Sequence, residues 1–393
     1  MSFKMLGGIL LVIGTSIGAG MLALPVATAT FGFVGACISL FLIWALMTYS
    51  AFLILEVNMW LPRKTNLVSM SRATLGLPGQ ITAWVSYLLL LYCLLSAYIS
   101  GGADIFQSLF SPLHYELSER FYAVIFTIIF SSIVYHGIVA VDHVNRVFMI
   151  TKLTAFFLLV FSIMPYVRSN ILFNSHFAFA MSTVTVIVTS FGFATILPSL
   201  RVYFEDDVKT LRKVIMIGSF VPLICYSLWI WAVHGVLSSD VLNEILKTDQ
   251  NTTSALMQAI TLQLAHSWIT LFVDVFVSVS VITSFLAVSL GLSDFLSDGL
   301  KLPKVGVKKL FILSLTFLPP LLIVLINPNL FLKGLNYAGT CCVILLALLP
   351  AAMAWAGRYS KKIAKGYRVA GGKICLLIII VVSLFLILFS LLG

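Results

Sequence analysis

Residues 14–25 read GTSIGAGMLALP, with three glycines in seven positions and a closing proline, inside a long apolar N-terminal stretch. Glycine in a helix interior costs about 1 kcal/mol relative to alanine. A bilayer offers no partner for a freed N–H or C=O, so a helix interrupted at membrane depth must satisfy those groups within the protein or with a ligand. The stretch predicts two half-helices joined by unwound backbone at a binding site.

The membrane setting follows from the rest of the chain. Of its 393 residues, 61% are hydrophobic and 10% charged, with a mean hydropathy of +1.10, whereas soluble domains carry roughly 45–50% apolar residues. No hydrophilic stretch is long enough for an attached soluble domain, so residues 1–393 are predicted to form one integral, all-α, polytopic bundle. Lys4 precedes the first apolar run as in a signal peptide, but the run continues through Thr30 into another span and reads as a retained helix. The net charge of +10 is spread over short loops, which points to topology and not to nucleic acid. The six cysteines have no metal-ligand spacing and imply neither disulfides nor metal.

Hydropathy predicts eleven spans: 6–30, 33–58, 80–108, 121–139, 147–166, 178–200, 214–237, 267–293, 308–326, 332–355 and 373–392. A cytoplasmic N-terminus leaves only Arg120, Arg168, Lys247 and Lys333 outside, so the positive-inside rule predicts a cytoplasmic N-terminus and an external C-terminus. The loop between spans 7 and 8, with Asp240, Glu244 and Asp249, fits an external cap of short helices.

Span 6 contains TSFGFATILP, from Thr189 to Pro198, and span 1 contains TSIGAGMLALP, from Thr15 to Pro25. Both have Thr-Ser-x-Gly with a proline six or seven residues after the glycine. Five spans separate the copies, which therefore run in opposite directions. This predicts an inverted 5+5 repeat, about 6–166 against 178–355, with span 11 at 373–392 appended and helices 1 and 6 broken. Half-helix N-termini offer amides and partial positive charge, and C-termini offer carbonyls. A zwitterionic amino acid needs both. Its carboxylate is expected on the amides of Gly18, Ala19 and Gly20, and its ammonium on carbonyls near Thr15, Ser16, Ser190 and Phe191.

Further stretches carry a resemblance: WALMTYSAFLILEV (44–57), AYISGGAD (97–104), TSFLAVSLGLSDFLSD (283–298), FLPPL (317–321), NYAG (336–339) and GYRVAGGK (366–373). With the two broken-helix motifs, they make the chain resemble, over nearly its full length, the hydroxy and aromatic amino acid permeases of the amino acid/polyamine/organocation superfamily. The tyrosine-specific members are the most similar. The resemblance implies the LeuT-type fold and a proton–amino acid symporter of the bacterial inner membrane working by alternating access. It implies no cofactor beyond the coupling proton, with sodium the lesser alternative. A departure follows TSFGF: the tyrosine-type members continue with His-Gly, and this chain has Ala194 and Thr195.

Phe191 and Phe193 flank the second break and are candidates to stack on an aromatic substrate, with Gly192 and Ala194 leaving room for a ring. Tyr98 is a candidate for the substrate carboxylate, and Ser100, Gly101 and Gly102 after it allow close helix packing. Thr283 and Ser284 lie where sodium-coupled superfamily members supply hydroxyl ligands, although two hydroxyls alone make a poor cation site. Asp274 is a carboxylate well inside a span, where charge costs at least ~3 kcal/mol, and is a coupling candidate by default. Glu56 is read as a cap or as the partner of a basic loop residue; Asp104, His136 and His234 lie near span ends.

Lys152, in MITKLTAFF of span 5, has two readings. Its ammonium points between spans 1, 5 and 8 toward Thr283 and Ser284, taking the place of sodium and coupling protons to transport, or it snorkels to the headgroups. No nucleophile–base pair or phosphate loop is present, so catalysis is not expected. The favoured reading is import of tyrosine or another aromatic amino acid, with no obligate protein partner beyond the lipid bilayer. A serine/threonine permease and a non-transporting amino acid sensor are the rivals.

Overall fold

The computed structural model describes residues 3–110, 118–173, 181–247 and 252–392. Among them every regular element is a helix. In chain order these are α1 (Phe3–Ser16), α2 (Gly20–Ala27), α3 (Gly32–Met59), α4 (Leu67–Phe110), α5 (Glu119–Tyr135), α6 (Ile138–Ile163), α7 (Ser169–Phe173), α8 (Met181–Ser190), α9 (Leu197–Tyr203), α10 (Val208–His234), α11 (Ser239–Lys247), α12 (Thr252–Leu264), α13 (Ser267–Leu300), α14 (Gly306–Ile326), α15 (Phe331–Val343), α16 (Leu349–Trp355) and α17 (Gly372–Leu392).

Nine helical stretches among the described residues are long and apolar enough to cross a membrane. The chain is a polytopic membrane protein. The difference from eleven has a physical origin. The first predicted span divides into α1 of 14 residues and α2, which runs on into α3 and is counted with it. α5 has 17 residues, about 26 Å at helical rise, and falls just short.

Hydropathy located these helices but misjudged ends where polar residues continue a helix. α6 begins nine residues before the predicted 147, and its first turns hold an Asp142–Arg146 ion pair at 2.8 Å, one turn apart. α13 runs seven residues past the predicted 293. α4 takes in a leading segment bent at Gly76, whose φ of +78° is open to glycine. Asp207 caps α10, accepting the amides of Lys209 at 3.0 Å and Thr210 at 3.2 Å. The expected cap between spans 7 and 8 contains α11 and α12; Asp249, like the predicted start of span 6 at 178, lies outside the described residues.

Small residues set the closest approaches. A side chain on Gly339 of α15 would stand 2.1 Å from the Thr185 carbonyl of α8, and one on Gly102 of α4 would stand 2.4 Å from the Phe126 ring of α5. The predicted close packing around Ser100–Gly102 is present: the Ser100 hydroxyl donates to the Pro328 carbonyl and accepts the Leu330 amide, tying α4 to the approach to α15.

Candidate functional site

Both predicted breaks are present. α1 stops at Ser16, residues 17–19 leave the helix, and α2 starts at Gly20. α8 stops at Ser190, and a 3₁₀ segment, Gly192–Ile196, leads to α9. The breaks lie against each other: a side chain on Gly20 would sit 3.2 Å from the Ser190 hydroxyl. Tyr226, in the middle of α10, places its hydroxyl 2.6 Å from the Ser16 carbonyl and 2.8 Å from the Ser190 carbonyl, the last residues of α1 and α8. Its ring meets Phe191 edge-on at 5.2 Å. In the sequence Tyr226 is one of 13 tyrosines, in a span that carries neither Thr-Ser-x-Gly motif, and nothing there singles it out.

Lys152 is buried, with 2% of its surface exposed. Its Nζ donates to the Ile17 carbonyl at 2.7 Å and to the Thr283 hydroxyl at 3.3 Å. It does not snorkel to the membrane surface; its amine joins α6 to the first break and to α13. Ser284, next along α13, accepts the Ala19 amide at 2.8 Å and lies near the Tyr98 hydroxyl of α4. Gly18 is pressed onto the same hydroxyl, since a side chain there would approach it to 2.7 Å.

The structure therefore brings Ser16, Gly18, Ala19, Gly20, Tyr98, Lys152, Ser190, Phe191, Thr283 and Ser284 together. Phe193 and Ala194 are fully buried in the 3₁₀ segment, and Gly192 faces Cys342 of α15, 3.3 Å from where its side chain would begin. Two candidates differ from expectation. The Thr15 side chain is exposed and its hydroxyl bonds back to the Val12 carbonyl at 2.9 Å. Asp274 is exposed on α13, nine residues before Thr283 and so about 13 Å along the helix from the cluster. The Ala19 amide, expected to be open to a carboxylate, is occupied by Ser284.

The remaining polar candidates hold elements together. Glu56 and Arg358 form a buried bidentate pair at 2.7 and 2.5 Å, and Glu56 also accepts the Val369 amide at 2.7 Å. Asp104 accepts the Ser254 amide in the first turn of α12 at 2.8 Å. The His234 ring contacts the Pro25 carbonyl at 2.9 Å, while His136 is exposed.

At the end of the bundle where α1 begins, Lys4 pairs with Glu205 at 2.9 Å and Asp206 bridges Arg63 and Arg201, each at 2.6 Å. Arg201 also reaches the carbonyls of Asn58 and Leu61. Glu205 and Asp206 lie at φ of +55° and +69°, so the turn from α9 to α10 is made in left-handed backbone. Hydrogen bonds from Arg63 and Arg201 hold the Asp206 carboxyl below its ordinary value, and Lys4 lowers Glu205 in the same way. Gly8 of α1 packs on the Phe204 ring beside this turn.

Two interrupted helices meet inside a multi-pass membrane bundle, with a buried lysine on the first break. The chain belongs to the tryptophan/tyrosine permease family, whose model matches residues 1–390. It is 35% identical to a tyrosine-specific transport system of Haemophilus influenzae over 384 residues, 97% of this chain and 94% of that protein. It is 30% identical to a tryptophan-specific transport protein of the same organism over 382 residues, 94% and 91% of the two chains. It is also 32% identical to a glutamine transporter of Aliivibrio fischeri over 357 residues, 90% and 89%. The family and these relatives are transport permeases, not enzymes.

Proposed function

We propose that the chain imports an aromatic amino acid, tyrosine foremost, together with protons by alternating access. The observation that carries this reading is the meeting of the two breaks, with Tyr226 between the Ser16 and Ser190 carbonyls, in a member of the tryptophan/tyrosine permease family. In this reading α1 with α2, and α8 with α9, are the broken first and sixth of eleven spans in a LeuT-type inverted repeat of about 6–166 and 178–355, with 373–392 appended. Packing supports the pairing: α6 lies along α13 much as α4 lies along α15, the exchange expected when fifth and eighth spans correspond to tenth and third. The bundle sits in the inner membrane with a cytoplasmic N-terminus and a periplasmic C-terminus, and works with no cofactor and no protein partner.

The substrate carboxylate is assigned to the amides of Gly18, Ala19 and Gly20, with Ser284 yielding the Ala19 amide on binding, and to the Tyr98 hydroxyl. The ammonium is assigned to the carbonyls of Ser16 and Ser190, and the ring to the space bounded by Phe191, Gly192, Phe193 and Ala194. Coupling is assigned to Lys152 with Thr283 and Ser284. The protonated amine ties the first break to α13, and loss of its proton releases the inner half-helix. Asp274 is dropped from coupling on its exposure, and Thr15, whose side chain is exposed, keeps only its backbone carbonyl near the ammonium.

The test is uptake of labelled Tyr, Phe, Trp, Ser, Thr and Gln into proteoliposomes under separately imposed pH and Na⁺ gradients. Uphill accumulation of an aromatic amino acid on a pH gradient alone is expected. Accumulation that requires Na⁺ overturns the coupling assignment, and binding without uptake identifies a sensor. A second reading, carriage of a small or polar amino acid, is favoured by the glutamine-transporting relative and is decided by the same panel.

A further inference from the structure

The segment from Gly357 to Lys373 carries Arg358, Lys361, Lys362, Lys365, Arg368 and Lys373, and no Asp or Glu. Glu56 neutralises Arg358 within the fold; the other five cations are exposed. Three parts of the chain converge here. Arg368 donates to the Tyr359 hydroxyl at 3.1 Å, with its guanidinium 5.8 Å from the centre of that ring. Lys373, in the first turn of α17, stands 5.0 Å from the same ring. Arg212, near the start of α10, lies 5.6 Å from the neighbouring Tyr367 ring. Among the described residues none of these three cations has an ion-pair partner.

Arg368 and Lys373 share one ring with no carboxylate among the described residues paired to either, so the local charge favours an anion. The arrangement is built and not a floating tail. The Val369 amide is fixed on Glu56 at 2.7 Å, the Tyr49 hydroxyl donates to the Ala370 carbonyl at 2.5 Å, and Gly366, Gly371 and Gly372 take the positive φ angles the loop requires. The position identifies the anion. Lys373 is followed at once by the exposed apolar residues Ile374, Leu377 and Ile378, and Arg212 by Met216 and Ile217 one turn on. The cations border an exposed apolar band, with tyrosines beside them, the combination expected where a span meets lipid headgroups.

We propose that Arg212, Arg368 and Lys373, gathered around Tyr359 and Tyr367, form a binding site for the headgroup of an anionic phospholipid. The inference is independent of which substrate the permease carries.

The experiment uses the full chain in detergent, titrated with phosphatidylglycerol in a phosphatidylcholine background, with retained lipid counted by native mass spectrometry. Each cation at such a surface contributes about fivefold in affinity, so R368Q/K373Q is expected to weaken retention about 25-fold. A charge-matched control on exposed cations that begin no lipid-facing span, K64Q/K247Q, is expected to stay within about twofold. R368K/K373R, which keeps both charges, is expected to retain the lipid and guards against a folding defect, as does an unchanged melting temperature in phosphatidylcholine alone. Wild-type retention by R368Q/K373Q overturns the proposal, and so does equal loss in K64Q/K247Q. Displacement of the lipid by millimolar inorganic phosphate or glycerol phosphate overturns the lipid assignment in favour of a soluble phosphate.

Discussion

Replacing Lys152 by alanine removes one ammonium from the junction of α1, α6 and α13. The 2.7 Å bond from Nζ to the Ile17 carbonyl is the stronger contact, and the one to Thr283 at 3.3 Å is secondary. A hydrogen bond from a charged donor contributes about 1.5–3 kcal/mol. Losing it shifts the balance between tied and released inner half-helix by about 10- to 150-fold. The link from the Ala19 amide to Ser284 remains, so the unwound segment keeps one attachment and its amides stay near their positions. The expected outcome is a separation of two activities in proteoliposomes. Counterflow exchange of labelled substrate persists in Lys152→Ala, while accumulation driven by a pH gradient collapses toward the equilibrium ratio. If Lys152→Ala still concentrates substrate when only a proton gradient is supplied, the amine is not the coupling group and the reasoning fails.

Gly18→Ala drives a methyl to within 2.7 Å of the Ser284 hydroxyl, whereas Gly192→Ala meets Cys342 Sγ at 3.3 Å; equilibrium binding of substrate is expected to fall about five- to tenfold for the first and much less for the second, reflecting one lost amide–carboxylate hydrogen bond of about 1–1.5 kcal/mol. Arg358→Met leaves Glu56 buried and unpaired and is expected to destabilise the protein by about 3–5 kcal/mol, read as a lower melting temperature, with the double variant Glu56→Gln/Arg358→Met partly restored. Asp206 is held below its ordinary 3.8, so its contribution to stability is complete above that value and is lost as pH falls through the depressed one; the acid limb of a melting-temperature profile should be shallower in Asp206→Asn. Ala194→Trp adds bulk at a fully buried position and should exclude aromatic competitors before small ones; equal loss for tyrosine and serine would remove Ala194 from the side-chain space.

What could be read in advance was whatever the bilayer forces. Glycines at positions 18, 20 and 192 disclosed both breaks because they recur with Thr-Ser before them and a proline after them in two apolar runs, a pattern that close packing alone does not require. Lys152 stood out for the same reason, although hydropathy could not choose between an amine turned inward and one turned to the headgroups. The choice depended on where Ile17 releases its carbonyl, which is a three-dimensional fact. Tyr226 and Arg358 were illegible, since a hydroxyl in an unbroken span and an arginine in a basic loop acquire meaning only from partners 36 to 302 residues away. Asp274 was over-read because a carboxylate within an apolar run gives no sign of which helix face it occupies, and this one is on the exposed side of α13.

The Tyr226 hydroxyl has one hydrogen and two claimants, the Ser16 and Ser190 carbonyls. At any instant one of them receives the hydrogen squarely and the other faces mainly the oxygen's lone pairs. A shift of α1 away from α10 hands the hydrogen to α8, and a shift of α8 hands it back. The phenol thus behaves as a two-throw electrical contact whose setting follows whichever carbonyl is nearer, and it does so without titrating, since the hydrogen changes direction and never leaves the oxygen.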